Sequence, residues 1–175
     1  MRLGEDFFRR DCLEVAPALV GKILVHRLAD GTELRERIAE TEAYRGTEDL
    51  ACHASKGKTP RNSILWAESG TVYVYLCYGM HHLLNVITGA EGEPQGVLLR
   101  AGVIHDGPGK LTKALQIDKR LNRSSFTNGG ELWFEDDGTP CTAHTDVRVG
   151  IEYAGDYWKN KPWRWILDKD SLKTP

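Results

Sequence analysis

Two runs of strand-forming residues, Gly70–Tyr78 and His81–Thr88, lie only a few residues apart around Gly79. Tyrosine and β-branched residues at this density, broken once by glycine, predict a β-hairpin. That feature commits the middle of the chain to a sheet. Its neighbours agree. Lys22–Leu28 and Glu33–Tyr44 read as a pair of strands joined across Ala29-Asp30-Gly31, an Asp-Gly turn signal. Gly96–Val103 reads as a further apolar strand, with later strands expected at Glu131–Glu135, Val147–Tyr153 and Pro162–Leu167.

Helical signals are fewer. Asp11 with Glu14 three residues on resembles a capping box, followed by Ala16, Leu19 and Val20 and a stop at Gly21. Pro17 sits inside that stretch and predicts a kink or a late start. Leu111, Ala114 and Leu115 have helical spacing within Pro108–Gln116. Many strands with a few helices predict an α+β fold on a mostly antiparallel sheet. At 175 residues, with no repeat or linker-like stretch, one domain over residues 1–175 is expected, with 168–175 a frayed polar tail.

Composition excludes little. The chain is 41% hydrophobic and 27% charged, with a formal charge of −2, so a polyanion partner would need a local basic patch. Four separated cysteines without a CxxC pair support neither disulfides nor zinc. No run reaches the roughly 18 apolar residues of a membrane span, and MRLGEDFFRR lacks an apolar leader. A cytoplasmic or nucleoid-associated protein is expected, with no membrane contact.

Ile38-Ala39-Glu40-Thr41-Glu42-Ala43-Tyr44 carries the most chemistry. In a regular strand Ile38, Glu40, Glu42 and Tyr44 share a face, bringing two carboxylates beside an aromatic ring. For two glutamates alone a solvated pair on an exposed strand is the default reading, and the aromatic on the same face shifts the balance only slightly towards a site. Tyr73 and Tyr75 share a face of the hairpin, whereas Tyr78 falls beside Gly79 at its tip. A bulky aromatic at a tip, followed by Gly79 and Met80, suits a wedge pushed into a base stack.

The string Glu40-Thr41-Glu42-Ala43-Tyr44, His53, Thr59-Pro60-Arg61-Asn62, Gly70–Tyr75, Tyr78-Gly79-Met80, Asn85, Val97–Ala101 and Gly107–Leu111 resembles the alkyladenine (3-methyladenine) DNA glycosylase family. Arg148-Val149-Gly150 and Lys161-Pro162-Trp163-Arg164 extend the likeness almost to the end. The resemblance implies a compact member with a curved sheet, a protruding hairpin and flanking helices. It implies a monomeric, monofunctional enzyme that flips damaged purines from double-stranded DNA and hydrolyses the N-glycosidic bond. The product would be an abasic site, and no cofactor or metal is called for. Glu42 matches the general base and Arg100 the residue that helps hold the attacking water. Tyr44, His53 and Tyr75 match the base pocket, and Asn85 the position that crowds the 2-amino group of guanine. Tyr78, supported by Met80, matches the intercalating side chain; Arg61 and Lys110 match positions near the DNA backbone. The connection Ala101–Asp106 is shorter than in other members and lacks their acidic-proline continuation.

Two further signals carry nothing. Gly109-Lys110 hints at a phosphate loop, but Leu111 stands where Ser or Thr is required and Ile104 where the first glycine is required. His81-His82 are adjacent in a strand, face opposite ways and have no second ligand cluster. A non-catalytic lesion-binding module and a hydrolase of free nucleosides or sugars remain alternatives on the sequence alone.

Overall fold

The computed structural model describes residues 1–173. Eight strands, β1 (Ile23–Arg27), β2 (Glu33–Arg45), β3 (Val72–Cys77), β4 (His81–Ile87), β5 (Gln95–Gly102), β6 (Leu132–Glu135), β7 (Ala143–Asp146) and β8 (Arg164–Leu167), are accompanied by four short helices. These are α1 (Glu5–Phe8), α2 (Cys12–Leu19), α3 (Pro108–Ala114) and α4 (Gly155–Lys159). The strand order is β3-β4-β5-β2-β1-β6, with β8 on β2 and β7 on β8, and all pairings are antiparallel. The fold is α+β, as expected.

β2 is the spine. Its first half pairs with β1, and its second half lies between β5 and β8. Between these halves the register with β5 slips twice, from Ile38↔Gly102 to Glu40↔Ala101 to Thr41↔Leu99. The slip exchanges the faces of the strand, because side chains alternate with a period of two. Ile38 therefore packs in the same core as Ala43, and Thr41 Oγ1 donates to Ala16 O at 2.8 Å. The sequence reading that puts Ile38 on the face of Glu40, Glu42 and Tyr44 is corrected here. Those three residues keep a common face, and Ile38 turns to the other.

α2 covers the core face. Val15, Ala16 and Leu19 are fully buried against Ile38, Ala43, Val97 and Leu99. Asp11 caps the helix by accepting from Leu13 N at 2.9 Å. Pro17 is accommodated near its C-terminal end, where only one intrahelical donor is lost. Phe8, from α1, completes this core by packing on Phe126 and Phe134.

One sequence expectation is revised here. Val147–Tyr153 is not a strand. It runs as a loop into a 3₁₀ turn at Glu152–Ala154, because Arg148 is drawn inward to an ion pair and Gly150 has φ +73°. The preceding residues form β7 instead. The polar stretch from Asp168, expected to fray, makes a 3₁₀ turn at Lys169–Lys173. Thr142 N donates to Ser171 Oγ at 3.0 Å, and Asp168 accepts from the Thr142 hydroxyl at 2.7 Å; residues 174–175 lie outside the described residues. No described helix is long and apolar enough to cross a membrane.

Candidate active site

β2, β3, β4 and β5 bury alternate residues against α2 and α3 and turn the others towards a cavity of about 630 Å³. Glu42 and Tyr44 enter from β2, Tyr75 from β3, Asn85 from β4 and Arg100 from β5. His53 closes one wall from the loop after β2, while Tyr78 and Lys110 stand at the margins. Glu42 and Arg100, 58 positions apart, thus meet because one strand period governs four neighbouring strands.

Glu42 is fully buried, and both oxygens are engaged. Tyr44 Oη donates to Oε2 at 2.7 Å, and the Val149 backbone N–H donates to Oε1 at 2.9 Å. Arg100 Nε lies 3.5 Å from Glu42 Oε1 and 3.9 Å from Glu40 Oε2. Arg100 is the residue skipped by the register slip, which bends it between the two carboxylates. Glu40 has its own cation: Arg164 approaches it at 3.1 Å while also holding Asp146 at 2.7 Å. The two carboxylates are therefore differentiated by environment. Glu42 faces the cavity in a cage of N–H and O–H donors; Glu40 is tied into a charge network.

The opposite wall is aromatic. The His53 and Tyr75 rings meet edge to face at 4.8 Å, and Tyr73 packs on Tyr75 at 5.2 Å. His53 Nδ1 lies 3.0 Å from the Tyr73 hydroxyl. Desolvation by these tyrosines, and then the Arg61 charge, lower the proton affinity of His53 below its ordinary value of 6.5, although one edge of the residue stays open. Desolvation raises the Tyr73 phenol to about 12. Burial, followed by the Glu42 charge, holds the Tyr44 phenol well above 10.0, so it remains a donor to the carboxylate. Asn85 is fixed by donating Nδ2 to Tyr73 O at 3.3 Å.

The hairpin tip is exposed and strained. Tyr78 and Gly79 both have positive φ, 51° and 67°, and Met80 N donates to Cys77 O at 3.1 Å, as in a type I′ turn. A tyrosine in the left-handed region costs roughly 1–2 kcal/mol relative to an ordinary conformation. It nevertheless stands 91% exposed, so burial does not offset that cost. Met80 is also exposed and does not line the cavity. Arg61 lies apart as well, in a smaller recess of about 400 Å³ that shares the wall of His53, Tyr73 and Tyr75.

Residues 6–171 match the family described as Methylpurine-DNA glycosylase (MPG). The chain belongs to that family. Among the relatives of this methylpurine-DNA glycosylase family member is a protein of Anaeromyxobacter sp. (strain Fw109-5) named "Putative 3-methyladenine DNA glycosylase". It is 44% identical over 180 residues, covering 98% of this chain and 92% of the relative. A Methanocella arvoryzae protein of the same name is 41% identical over 189 residues, covering 97% and 93% respectively. The "DNA-3-methyladenine glycosylase" of Mus musculus is 39% identical over 199 residues, covering 95% of this chain and 59% of its own length. Methylpurine-DNA glycosylases are DNA-repair hydrolases of N-glycosidic bonds, and this chain is one of them.

Sequence reasoning missed part of the site. The Val149 N–H was hidden because a backbone donor leaves no residue-type signal and the segment reads as a strand. Asp106 and Gly107 also line the cavity. They are delivered there by the short connection after β5, whose Ile104 N and His105 Nδ1 both bind the buried Glu36 carboxylate at 3.0 and 2.6 Å.

Proposed function

We propose that the chain excises damaged purines of the 3-methyladenine, hypoxanthine and ethenoadenine class from double-stranded DNA, acting as a monomer and leaving an abasic site. The observation that carries this reading is Glu42, buried at a cavity wall opposite a cluster of aromatic rings, with an exposed tyrosine at the cavity margin. A base within a duplex hides its glycosidic bond, so the nucleotide must be extruded. Tyr44, His53 and Tyr75 receive the base, and Tyr78 fills the vacated stack. Asn85 obstructs the 2-amino group of guanine. Arg61 and Lys110 contact the phosphate backbone.

The attacking water occupies the space between Glu42 and Arg100. Access comes by displacement of the Arg100 side chain, whose 3.5 and 3.9 Å contacts are longer than hydrogen bonds. Glu42 takes a proton from the water, the oxygen bonds to C1′, and the glycosidic electron pair leaves with the purine. The carboxylate also offsets positive charge that develops on the sugar. A cationic alkylated purine departs as a neutral base, and electron-rich tyrosine faces favour its cationic form in the pocket.

Three-way comparison of lesion duplexes, undamaged duplex and the free nucleosides tests the reading. Release of free base from the lesion duplexes alone is expected, with binding that weakens steeply as salt rises. Equal turnover of nucleosides would place the activity outside DNA repair.

Two further outcomes are expected. Tyr78→Gly removes the strained side chain, so folding stability changes by less than about 1 kcal/mol. Affinity for lesion duplex falls by roughly 5- to 150-fold, the equivalent of one lost stacking contact. Urea unfolding and fluorescence anisotropy on one preparation separate the two.

The second concerns pH. His53 favours its neutral form in the fold, so its imidazole is uncharged above 6.5 and adds a cation to the aromatic wall as pH falls through the lowered value. The affinity ratio of a duplex containing 3-methyladenine to undamaged duplex should fall below pH 6.5 and become flat in His53→Gln. An unchanged ratio in wild type would remove His53 from the base pocket.

A further inference from the structure

Arg148 and Asp49 form an ion pair with no exposed side-chain surface on either partner. Arg148 Nη1 donates to Asp49 Oδ2 at 2.6 Å and Nη2 to Oδ1 at 2.9 Å, a two-pronged contact. The same guanidinium donates to Ala43 O at 2.9 Å, and its carbon lies 4.8 Å from the centre of the Tyr44 ring. The same carbon lies 5.1 Å from the centre of the Trp163 ring. Asp49 in turn accepts the backbone N–H groups of Arg45 and Ala51, both at 3.1 Å.

These contacts converge on one carboxylate. Glu42 has two hydrogen-bond donors, the Tyr44 hydroxyl and the Val149 N–H. Arg148 packs on the ring of the first and immediately precedes the second in the chain. It also binds the carbonyl of Ala43, between Glu42 and Tyr44. Arg164 Nε fixes the same loop one residue earlier by donating to Val147 O at 2.8 Å. A buried ion pair is a poor device for stability, since well-packed apolar residues do as well. This one even leaves Arg148 Nε without a partner. Its geometry is explained by what it holds in place.

We infer that the Asp49–Arg148 pair is a positioning element for Glu42, setting both donors that orient the carboxylate towards the attacking water. The inference rests on Glu42 being the general base. Arg148 touches neither water nor base in this account; it acts through Tyr44 and Val149. A misplacement of about 1 Å at a reacting group can cost on the order of 10²-fold in rate.

A mutant cycle in single-turnover excision from a hypoxanthine duplex tests this. Asp49→Asn keeps the side-chain volume and removes the charge that grips Arg148. It is expected to lower the excision rate constant by roughly 10- to 100-fold while changing lesion-duplex affinity by less than about threefold. Because the effect passes through Glu42, Glu42→Gln/Asp49→Asn should be no slower than Glu42→Gln alone. Arg148→Lys, which keeps the charge and loses the two-pronged grip, should behave alike and serves where Asp49→Asn does not fold. Additive losses in the double variants, or a loss of affinity that matches the loss of rate, would overturn the inference alone. A Glu42→Gln enzyme as fast as wild type would overturn it together with the reading on which it rests.

Discussion

Glu42→Gln is expected to lower the single-turnover excision rate by about 10²- to 10⁴-fold, the usual contribution of a positioned general base. The substitution preserves volume at a fully buried position. The Gln carbonyl can accept the Val149 N–H while its NH₂ donates to the Tyr44 hydroxyl, which rotates to accept. Both contacts of the side chain are kept, and Tyr44 lines the open cavity, so the fold survives. Lesion-duplex affinity should hold within about threefold, because rate is lost without uniform binding being lost. Glu40→Gln provides the contrast. Glu40 is bound by Arg164 at 3.1 Å, outside the donor cage of Glu42, and its loss should leave most of the activity. Equal losses from the two substitutions would contradict the assignment of the base.

Phe8→Ala carries the largest expected effect on stability. Phe8 has no exposed surface and packs on Phe7, Phe126 and Phe134 at ring-centre distances of 5.1, 6.1 and 5.9 Å. Its backbone carbonyl also accepts Gly89 N at 3.0 Å, joining the amino-terminal segment to the end of β4. Removing a buried phenylalanine ring costs about 3–5 kcal/mol in lost transfer energy and cavity formation. Against a total of roughly 5–15 kcal/mol, the urea midpoint should fall by a large fraction of its wild-type value. A shift equivalent to less than about 1 kcal/mol would mean that this core can collapse around the gap.

Phe8 also marks a limit of sequence reading. It lies in a four-residue helix, too short to show a period, so its partners are visible only once residues 126 and 134 are brought to it. The longer strands were legible because alternation over five or more residues is a strong local signal, and the tyrosine hairpin was the strongest of them; β7, at Ala143–Asp146, was not. The face of Glu42 was legible only in part. Period two correctly grouped Glu40, Glu42 and Tyr44, but the slip between Ile38 and Thr41 reverses the phase before them. A bulge follows from strand pairing and has no residue-type signature there. Val147–Tyr153 fails for a related reason. Its β-branched residues read as a strand, yet the Arg148 side chain is turned inward by Asp49, 99 residues away. The candidate site residues were legible through resemblance; their spacing alone left a solvated pair the safer reading of Glu40 and Glu42.

Lys110 sharpens the final question, since its side chain borders the same cavity and an amine could attack C1′ in place of water. The most direct test is borohydride trapping during excision from a hypoxanthine duplex, with mass analysis of the abasic product in a parallel reaction without borohydride. Attack by water activated at Glu42 gives an intact abasic strand, and no enzyme–DNA adduct is trapped. A borohydride-trapped adduct, or strand breakage before alkali, would contradict the account.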